Sequence, residues 1–418
     1  MDVCKTLQAA GFKGLLVGGC VRDLLLGLKP KDFDVATDGH PGEVKQLFKR
    51  SRIVGRRFQI VHVRYGREIV EVTTFRSHHD LPDEENSEEE RTDSAVCEET
   101  GMLLRDNVFG NIEEDAARRD FTVNSLFYDP IQQSLMDYTG GLEDLEKRIL
   151  RVIGEPRTRF QEDPVRMLRA IRFSAKLGLT IEPEAESSFA SCGNLLYQVS
   201  SARMFDEVLK LFMSGSAAKT YEILNANGLF EPLFPMTAEL VAESESTHNF
   251  LLQALLNTDE RIAADKPVTP AFLFAALLWP PVCERYEEHV RLKGSAPILA
   301  LREAAQEIVF EQLTHTAIPR RFSTPMKEIW ELQLRLLSRK RPQHLASNPR
   351  FRAAYDFILL REQNGEDLDG AGEWWTKYQE THEIKTLPAQ DRPPGNNREE
   401  KRRRRPRRRR RNPNVANA

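Results

Sequence analysis

The stretch LLVGGCVRDLLLGLKPKDFDVAT, residues 15–37, decides the fold. Its first apolar run ends at Gly18 and Gly19, and a helical pattern follows directly. A strand, a glycine pair and a helix start place free backbone N–H groups beside the positive end of a helix dipole, and glycine lets an anion approach the backbone closely. This arrangement predicts a triphosphate-binding turn, with Arg22 as a charge-assisted contact. Taken alone, a glycine pair is weak evidence for a ligand, because tight turns use it constantly.

The second half of the stretch carries two acids, Asp32 and Asp34. In a strand they fall on one face, and Phe33 and Val35 then point into the core. Two adjacent carboxylates repel each other, so a cation between them is favoured, and Mg²⁺ prefers such oxygen ligands together with phosphate. The alternative is a polar turn with two incidental acids. The glycine motif shortly before them favours the metal site.

A third carboxylate is expected from a neighbouring strand. Residues 69–75, IVEVTTF, alternate as a strand does, with Glu71 as a lone acid among β-branched residues. A charged residue in such a strand needs a partner. That partner is either the same cation or an arginine, and the pattern leaves both open.

Composition and cysteine usage narrow the class of protein. The 418 residues are 40% hydrophobic and 29% charged, which is typical of a globular protein with two or three domains. Five scattered cysteines favour neither a disulfide framework nor a zinc cluster and fit a reducing cytosol. No secretory signal is apparent, so we expect a cytoplasmic protein without a stable membrane anchor. The longest apolar run, residues 271–282, predicts a buried helix stopped by Pro280 and Pro281.

Three kinds of region follow one another along the chain. Short apolar strands alternate with helical stretches up to about residue 152, and the pattern is almost wholly helical from there to about residue 370. We therefore expect an α+β domain with a mixed sheet, then all-α domains, then a disordered basic tail. The predicted units are 1–152, with a mobile acidic loop at about 81–100, then 153–240, 241–385 and 386–418.

The tail concentrates positive charge. Residues 398–411 hold eleven Lys or Arg and two Glu, a local charge of +9, whereas the whole chain carries −3. The rest of the chain therefore sums to −12. An acidic body with a basic arm predicts contact with a polyanion. The arginines expected to bind RNA are Arg402, Arg403, Arg404, Arg405, Arg407, Arg408, Arg409, Arg410 and Arg411.

These motifs, taken in order, resemble a known enzyme class. GGCVRD followed by DFD, then RRDFTVN at 118–124 and EDPVRMLRAIRF at 162–173, are similar to the active-site blocks of class II nucleotidyltransferases of the polymerase-β superfamily. That class contains the CCA-adding enzymes and the bacterial poly(A) polymerases. The resemblance covers about residues 11–240 and continues more loosely through about 268–363. It implies a polymerase-β-like nucleotidyltransferase fold for the N-terminal domain.

The resemblance also implies roles for individual residues. Asp32 and Asp34 match the metal-binding pair, and Asp120 matches an acid that the family counts among its catalytic carboxylates. The strand pattern favours Glu71 as the third metal-facing acid, and the sequence leaves the choice between Glu71 and Asp120 open. The implied ATP-binding residues are Gly18, Gly19, Arg22, Arg119, Asp163, Arg166 and Arg169.

The block at 162–173 makes physical sense as a reader of the nucleotide base. Asp163 lies where a helix is expected to start, and Arg166, Arg169 and Arg172 recur along one face of that helix. An Asp acceptor and an Arg donor can together address the Watson–Crick edge of a base, and the resemblance implies this role for Asp163 and Arg166. Without the other motifs, a basic solvated helix face is the simpler interpretation.

Within the class, residues 53–63, IVGRRFQIVHV, resemble the bacterial poly(A) polymerases. The implied activity is template-independent addition of AMP from ATP to RNA 3′ ends, with two Mg²⁺ ions and release of pyrophosphate. RNA 3′ ends are the expected partner, and RNA-decay proteins are candidate partners. The alternatives are a CCA- or A-adding tRNA nucleotidyltransferase and a silent RNA-binding adaptor. The intact motif acids and arginines disfavour the adaptor.

Overall fold

The computed structural model describes residues 1–55, 59–66, 68–77, 94–96, 103–106 and 108–382, of which 94–96 and 103–106 are described by their backbone. The N-terminal part contains a seven-stranded sheet in the order β3-β4-β5-β2-β1-β8-β9. Its elements and two short strand pairs beside it are α1 (Asp2–Ala9), β1 (Leu15–Val17), α2 (Gly19–Leu25), β2 (Asp34–Thr37), α3 (Pro41–Leu47), β3 (Ser51–Val54), β4 (Ile60–Tyr65), β5 (Glu68–Thr74), β6 (Ser94–Val96), β7 (Leu103–Asp106), α4 (Ile112–Ala117), β8 (Leu126–Asp129), β9 (Ser134–Asp137), α5 (Gly141–Glu146), β10 (Ile149–Leu150) and β11 (Thr180–Ile181).

The sheet is mixed, as predicted. β2 runs parallel to β5, while the other neighbours in the sheet are antiparallel. The parallel register places Asp34 directly opposite Glu71. Two acids from separate parts of the sequence are thereby brought side by side at one end of the central strands.

Both faces of the sheet are covered. On one face Leu15, Val17 and Phe127 pack with Ile112 and Ala116 of α4. On the other, Leu16, Val35 and Val72 belong to a cluster that includes residues of α1 and α3. Burial of β1 on two faces explains why its sequence, LLV, is a run of apolar residues rather than an alternating pattern.

The remainder is helical, which confirms the predicted all-α portion. The helices are α6 (Pro156–Glu162), α7 (Val165–Leu177), α8 (Pro183–Cys192), α9 (Ser201–Phe212), α10 (Ala217–Ala226), α11 (Pro235–Glu243), α12 (Glu245–Ala263), α13 (Pro270–Leu277), α14 (Trp279–Lys293), α15 (Pro297–Gln312), α16 (Arg320–Ser338), α17 (Pro342–Ala346), α18 (Phe351–Gln363) and α19 (Ala371–Thr381). Two 3₁₀ turns lie at Thr122–Asn124 and Gly193–Gln198.

The apolar run at 271–282 forms the buried helix α13, but the prolines act differently from the prediction. The helix ends at Leu277, and Pro280 and Pro281 lie in the first turn of α14. Proline suits that position because the first turn needs no backbone N–H donors. Among the described residues, no helix combines the length and the apolar character that a bilayer crossing requires.

Some expectations fall largely outside the described residues. These are the basic tail and most of the acidic segment at about 81–100, where the described part, Ser94–Val96, is a strand paired with β7. The domain boundaries drawn from the sequence stay predictions.

Candidate active site

The glycine turn joins β1 to α2. Gly18 has φ of +75°, a conformation that favours glycine, and α2 begins at Gly19. The Gly18 amide donates to the Leu126 carbonyl at 3.1 Å, which fixes the turn on β8. A Cβ at Gly18 would lie 3.4 Å from Nη1 of Arg119. The turn and an arginine side chain therefore face each other closely.

Arg22 holds its charge beside this turn. Its side chain is buried, and its guanidinium donates to Asp23 at 2.9 and 2.6 Å and to Oδ1 of Asn124 at 2.5 Å. A Cβ at Gly19 would lie 3.6 Å from Nη2 of Arg22. The predicted phosphate contact is thus positioned at the glycine pair by two protein partners.

The two predicted metal-binding acids differ in their surroundings. Asp34 opens β2 and is partly buried, whereas Asp32 precedes the strand and is exposed. Burial, then the negative charges of Glu71 and Asp32, raise the pKa of Asp34 to about 6, with Arg119 acting in the opposite direction. Val35 is buried as predicted, but Phe33 is 44% exposed. The prediction for Phe33 was wrong because β2 begins after it, so strand alternation does not apply there.

Glu71 lies on the parallel neighbour of this strand. Its side chain is 46% exposed, and its carboxylate lies 3.2 Å from Nε2 of His62. The ion-pair partner found for Glu71 in the described part of the chain is thus a histidine, not the arginine considered above. In the same part, no three acidic, histidine or cysteine side chains converge tightly enough to enclose an ion. The acids Asp32, Asp34 and Glu71, which we call the strand acids, form an open group.

Asp120 is bound on all sides by donors. Its Oδ1 accepts hydrogen bonds from the Phe121 amide at 2.9 Å and from Nδ2 of Asn124 at 3.1 Å, and its Oδ2 accepts two from Arg169. Burial opposes the charged form, but Arg169 and the Asn124 hydrogen bond outweigh it and lower the pKa of Asp120 to about 2. Asp120 is therefore a firmly paired carboxylate.

Arg119, the preceding residue, is anchored in the same manner. Its guanidinium donates to Oδ2 of the buried Asp115 at 3.1 and 2.8 Å and stacks on Phe127 at 5.2 Å from the ring centroid. Its charge is fixed between the glycine turn and Asp34, where it favours an anion.

The helix α7 presents its arginines on one face, as predicted, while Leu168 and Ile171 are fully buried. Asp163 pairs with Arg203 of α9 at 2.8 Å, and Arg166 pairs with Glu162 at 2.8 Å. Asp163 and Arg166 therefore each have a protein partner, and the Arg166 amide donates to the Asp163 carbonyl at 3.0 Å, which holds the two residues side by side.

Three guanidinium groups surround the ring of Phe173. Those of Arg22, Arg169 and Arg172 lie 4.9, 5.6 and 4.6 Å from its centroid. The first two have hydrogen-bond partners, but Nε of Arg172 is buried without one, and no other described side chain pairs with Arg172. Burial lowers the pKa of Arg172, with the neighbouring charge of Arg169 acting in the same direction. The negative charges of Glu207 and Asp120 act in the opposite direction, so Arg172 is a cation held by nearby charge and by the Phe173 ring rather than by a salt bridge.

Several residues of this network were not identified from the sequence. Asn124 lies inside the block 118–124 and carries no signal of its own beyond that position. Arg203 and His62 reach the site from distant segments, so the sequence pattern could not indicate them. The arginines at 402–411 that are expected to bind RNA, and residues 56–58 of the stretch 53–63, lie outside the described residues.

Comparisons with known proteins identify the family. Models of a poly A polymerase head domain, of a probable RNA and SrmB-binding site of polymerase A, and of a polymerase A arginine-rich C-terminus match residues 15–151, 178–240 and 293–411. The poly(A) polymerase I of Salmonella typhimurium is 46% identical over 385 residues, which are 91% of this chain and 82% of that protein. The chain belongs to the poly(A) polymerase I family. It is a polynucleotide adenylyltransferase with an RNA-binding region, as the sequence predicted.

The tRNA-maturing alternative is supported only by more distant relatives. A CCA-adding enzyme of Lactobacillus johnsonii is 36% identical over 231 residues, covering 55% of this chain and 54% of that enzyme. A solved tRNA nucleotidyltransferase, complexed with a primer tRNA and an incoming ATP analog, has a TM-score of 0.54 and 20% identity. It covers 91% of this chain and 99% of that one. This likeness confirms the fold.

Proposed function

We propose that this polymerase extends RNA 3′ ends with AMP from ATP by two-Mg²⁺ in-line transfer. The observation that carries the proposal is the group of strand acids: Asp34 lies in register with Glu71, and burial, together with the negative charges of Glu71 and Asp32, raises the pKa of Asp34. Carboxylates held together against repulsion are stabilised when a cation binds between them.

The residues present fit Mg²⁺. Asp32, Asp34 and Glu71 supply hard oxygen ligands, and the open side of the group leaves room for water and substrate phosphate, which Mg²⁺ commonly retains as ligands. When bound, Mg²⁺ lowers the pKa of the attacking hydroxyl and stabilises charge on the α-phosphate and the leaving pyrophosphate. Glu71 suits the third position better than Asp120, because the oxygens of Asp120 are already engaged by protein donors.

The remaining residues orient the nucleotide. Gly18 and Gly19 admit the triphosphate to the backbone, and Arg22 and Arg119 provide fixed positive charge beside it. Arg172 adds a further positive charge. The 3′-hydroxyl of RNA loses its proton to solvent as its oxygen attacks the α-phosphorus. The bond from the α-phosphorus to the oxygen that bridges to the β-phosphate breaks, and pyrophosphate leaves. Positioning of these groups is the main contribution of the protein to such a reaction.

The adenine base is read from α7. We propose that Asp163 and Arg166 address its Watson–Crick edge, and that Arg169 supports them through its bonds to Asp120. To bind the base, Asp163 and Arg166 each replace part of their present hydrogen bonding with hydrogen bonds to adenine. The partners Arg203 and Glu162 then hold the two side chains in place.

The helical part and the basic tail hold the RNA. If about six tail cations pair with phosphates, the logarithmic salt slope is about −4, so a fourfold rise in salt weakens binding roughly 10²-fold. Contact with RNA-decay proteins and a cytoplasmic location complete the proposal.

Incubation of the purified protein and Mg²⁺ with unstructured RNA, supplied with ATP alone or CTP alone, tests the proposal. A parallel reaction contains tRNA that lacks its 3′ end. Long ladders from ATP on the unstructured RNA are expected, and omission of Mg²⁺ abolishes them. Addition of one to three nucleotides on tRNA alone would contradict the proposal.

A further inference from the structure

Four side chains form a hydrogen-bonded chain between α2 and α7. Arg22 donates to Oδ1 of Asn124 at 2.5 Å, Nδ2 of Asn124 donates to Oδ1 of Asp120 at 3.1 Å, and Nε of Arg169 donates to Oδ2 of Asp120 at 2.8 Å. Arg22 lies at the glycine turn, and Arg169 lies on the helix that carries Arg166. The chain therefore connects the two halves of the nucleotide site, and we call it the relay.

The centre of the relay requires an amide. Asn124 accepts from a guanidinium with its oxygen and donates to a carboxylate with its nitrogen, and an amide offers both groups on one planar head. The side chain is 6% exposed and sits on the 3₁₀ turn Thr122–Asn124. The hydroxyl of Thr122 donates to Asp144 at 2.7 Å, which anchors that turn to α5. Asn124 is thus held in one orientation.

The ends of the relay are coupled a second time through Phe173. Both Arg22 and Arg169 stack on this ring, at 4.9 and 5.6 Å from its centroid. Because the relay and the ring are both packed and mostly buried, displacement of one guanidinium is transmitted to the other. Phosphate binding at one end and base reading at the other therefore depend on the same few contacts.

We propose that Asn124 is a positioning residue that aligns the triphosphate-binding Arg22 with Asp120 and the base-reading helix. The inference rests on the proposed function of these two ends. It also assigns Asp120 a role: this acid orients Arg169 and Asn124, and the metal-facing position belongs to Glu71. Asn124 acts on the reaction through its neighbours rather than by touching the reacting atoms.

The substitution Asn124→Asp tests the relay, because it replaces the donor to Asp120 with a second negative charge. A misplacement of about 1 Å in such a site reduces kcat/KM for ATP by roughly 10²-fold. We expect a raised KM for ATP, weaker inhibition by pyrophosphate and a smaller ratio of kcat/KM for ATP to that for CTP. The matched control Asn225→Asp makes the same change at an exposed position of α10 and leaves all three values unaltered.

The variant Asn124→Ala provides a second test. It removes both hydrogen bonds of the Asn124 side chain without adding charge, and we expect the same three changes with a smaller loss of activity. A merely structural role would instead lower the melting temperature while the ATP-to-CTP ratio and the pyrophosphate inhibition stay at wild-type values, and that result would overturn the proposal.

The exchange Asp120→Asn with Asn124→Asp restores the order of donors and acceptors along the relay. If Asp120 is a positioning residue, the double variant recovers at least about tenfold of the activity lost in Asn124→Asp, since the coupling of contacting residues is non-additive. A double variant no more active than Asn124→Asp would overturn the assignment. If the wild-type protein fails to extend RNA from ATP, the proposed function is refuted. The relay is then still tested by calorimetry, which compares pyrophosphate binding by the wild type and by Asn124→Asp.

Discussion

The strand acids and the helix-facing acid Asp120 carry the same chemical group in opposite electrostatic settings. Asp34 lies beside Glu71 and Asp32, and its pKa is raised to about 6. Asp120 lies among donors from Arg169, Asn124 and a backbone amide, and its pKa is lowered to about 2. Both side chains are largely removed from solvent, so the difference comes from their neighbours. We propose that the first group is stabilised by a cation from outside the protein, whereas Asp120 already has its cation, Arg169, inside the protein.

This contrast distinguishes acids that bind a metal ion from acids that position neighbouring side chains, which the sequence motifs alone do not distinguish. An acid whose repulsion is unrelieved is suited to bind a metal ion, whereas an acid with every oxygen engaged is suited to fix the geometry of its neighbours. Asp34 and Asp120 both lie in motif blocks that resemble active-site blocks of the nucleotidyltransferase class. The comparison therefore predicts distinct consequences when each acid is neutralised.

The largest effect is expected for Asp34→Asn. Loss of a metal ligand reduces adenylate addition by roughly 10³-fold or more. The fold should not lose stability, because the substitution removes a buried charge that its neighbours repel. Extension assays together with melting curves measure both quantities. A variant that melts well below the wild type would place Asp34 among the structural acids and break the comparison.

The second largest effect is expected for Glu71→Gln, which should lose about 10²-fold in activity because one oxygen ligand is weakened. Its side chain is about half exposed and contacts His62, so the free energy of unfolding should change by about 0.5 kcal/mol or less. Extension rates at several Mg²⁺ concentrations provide the check, since the variant should require more Mg²⁺. Activity with unchanged Mg²⁺ dependence would exclude Glu71 from the metal site.

Asp120→Asn should cost stability, in contrast to Asp34→Asn. The lowered pKa corresponds to about 2 kcal/mol of stabilisation at neutral pH. Because the folded pKa lies below the unfolded one, this contribution is complete above about pH 4 and is lost as the pH falls towards 2. Denaturant unfolding of the wild type and the variant at pH 7 and at pH 3 measures it. The difference between the two proteins should shrink at pH 3, and a constant difference would argue against the ion pair.

The smallest effect concerns Arg172. Arg172→Gln should raise KM for ATP about tenfold, equivalent to one lost charge-assisted contact with phosphate. Since Nε of Arg172 is buried without a hydrogen-bond partner and the guanidinium contacts the Phe173 ring, its removal should change the melting temperature little. Lys176→Gln, one turn further along α7 and exposed, is the control. Equal KM values for the two variants would show that Arg172 lies away from the triphosphate.

Much of this arrangement could be predicted from the sequence, because local patterns carry it. The glycine turn, the strand acid Asp34, the buried Val35 and the arginine face of α7 all follow from spacing and burial within one segment. The register that sets Asp34 against Glu71 was anticipated only as a neighbouring strand, since strand pairing depends on the whole sheet.

The failures have physical causes as well. Strand alternation predicts Phe33 in the core only if the strand includes it, but β2 begins at Asp34. Alternation alone determines the ends of a strand poorly. Pro280 and Pro281 were interpreted as a helix stop, although proline also suits a first helical turn. The partners of Asp163 and Asp120, Arg203 and Arg169, come from other helices, so no pattern within a motif reveals them. A motif identifies an acid, but its task depends on long-range packing.

The central claim is that the strand acids, and not Asp120, hold the metal ion. Electron paramagnetic resonance of Mn²⁺, used in place of Mg²⁺ and added to the protein without nucleotide, measures binding directly. The wild type and Asp120→Asn should bind Mn²⁺ with similar affinity, whereas Asp34→Asn should lose the binding. Loss of Mn²⁺ in Asp120→Asn, with binding retained in Asp34→Asn or Glu71→Gln, would contradict the account.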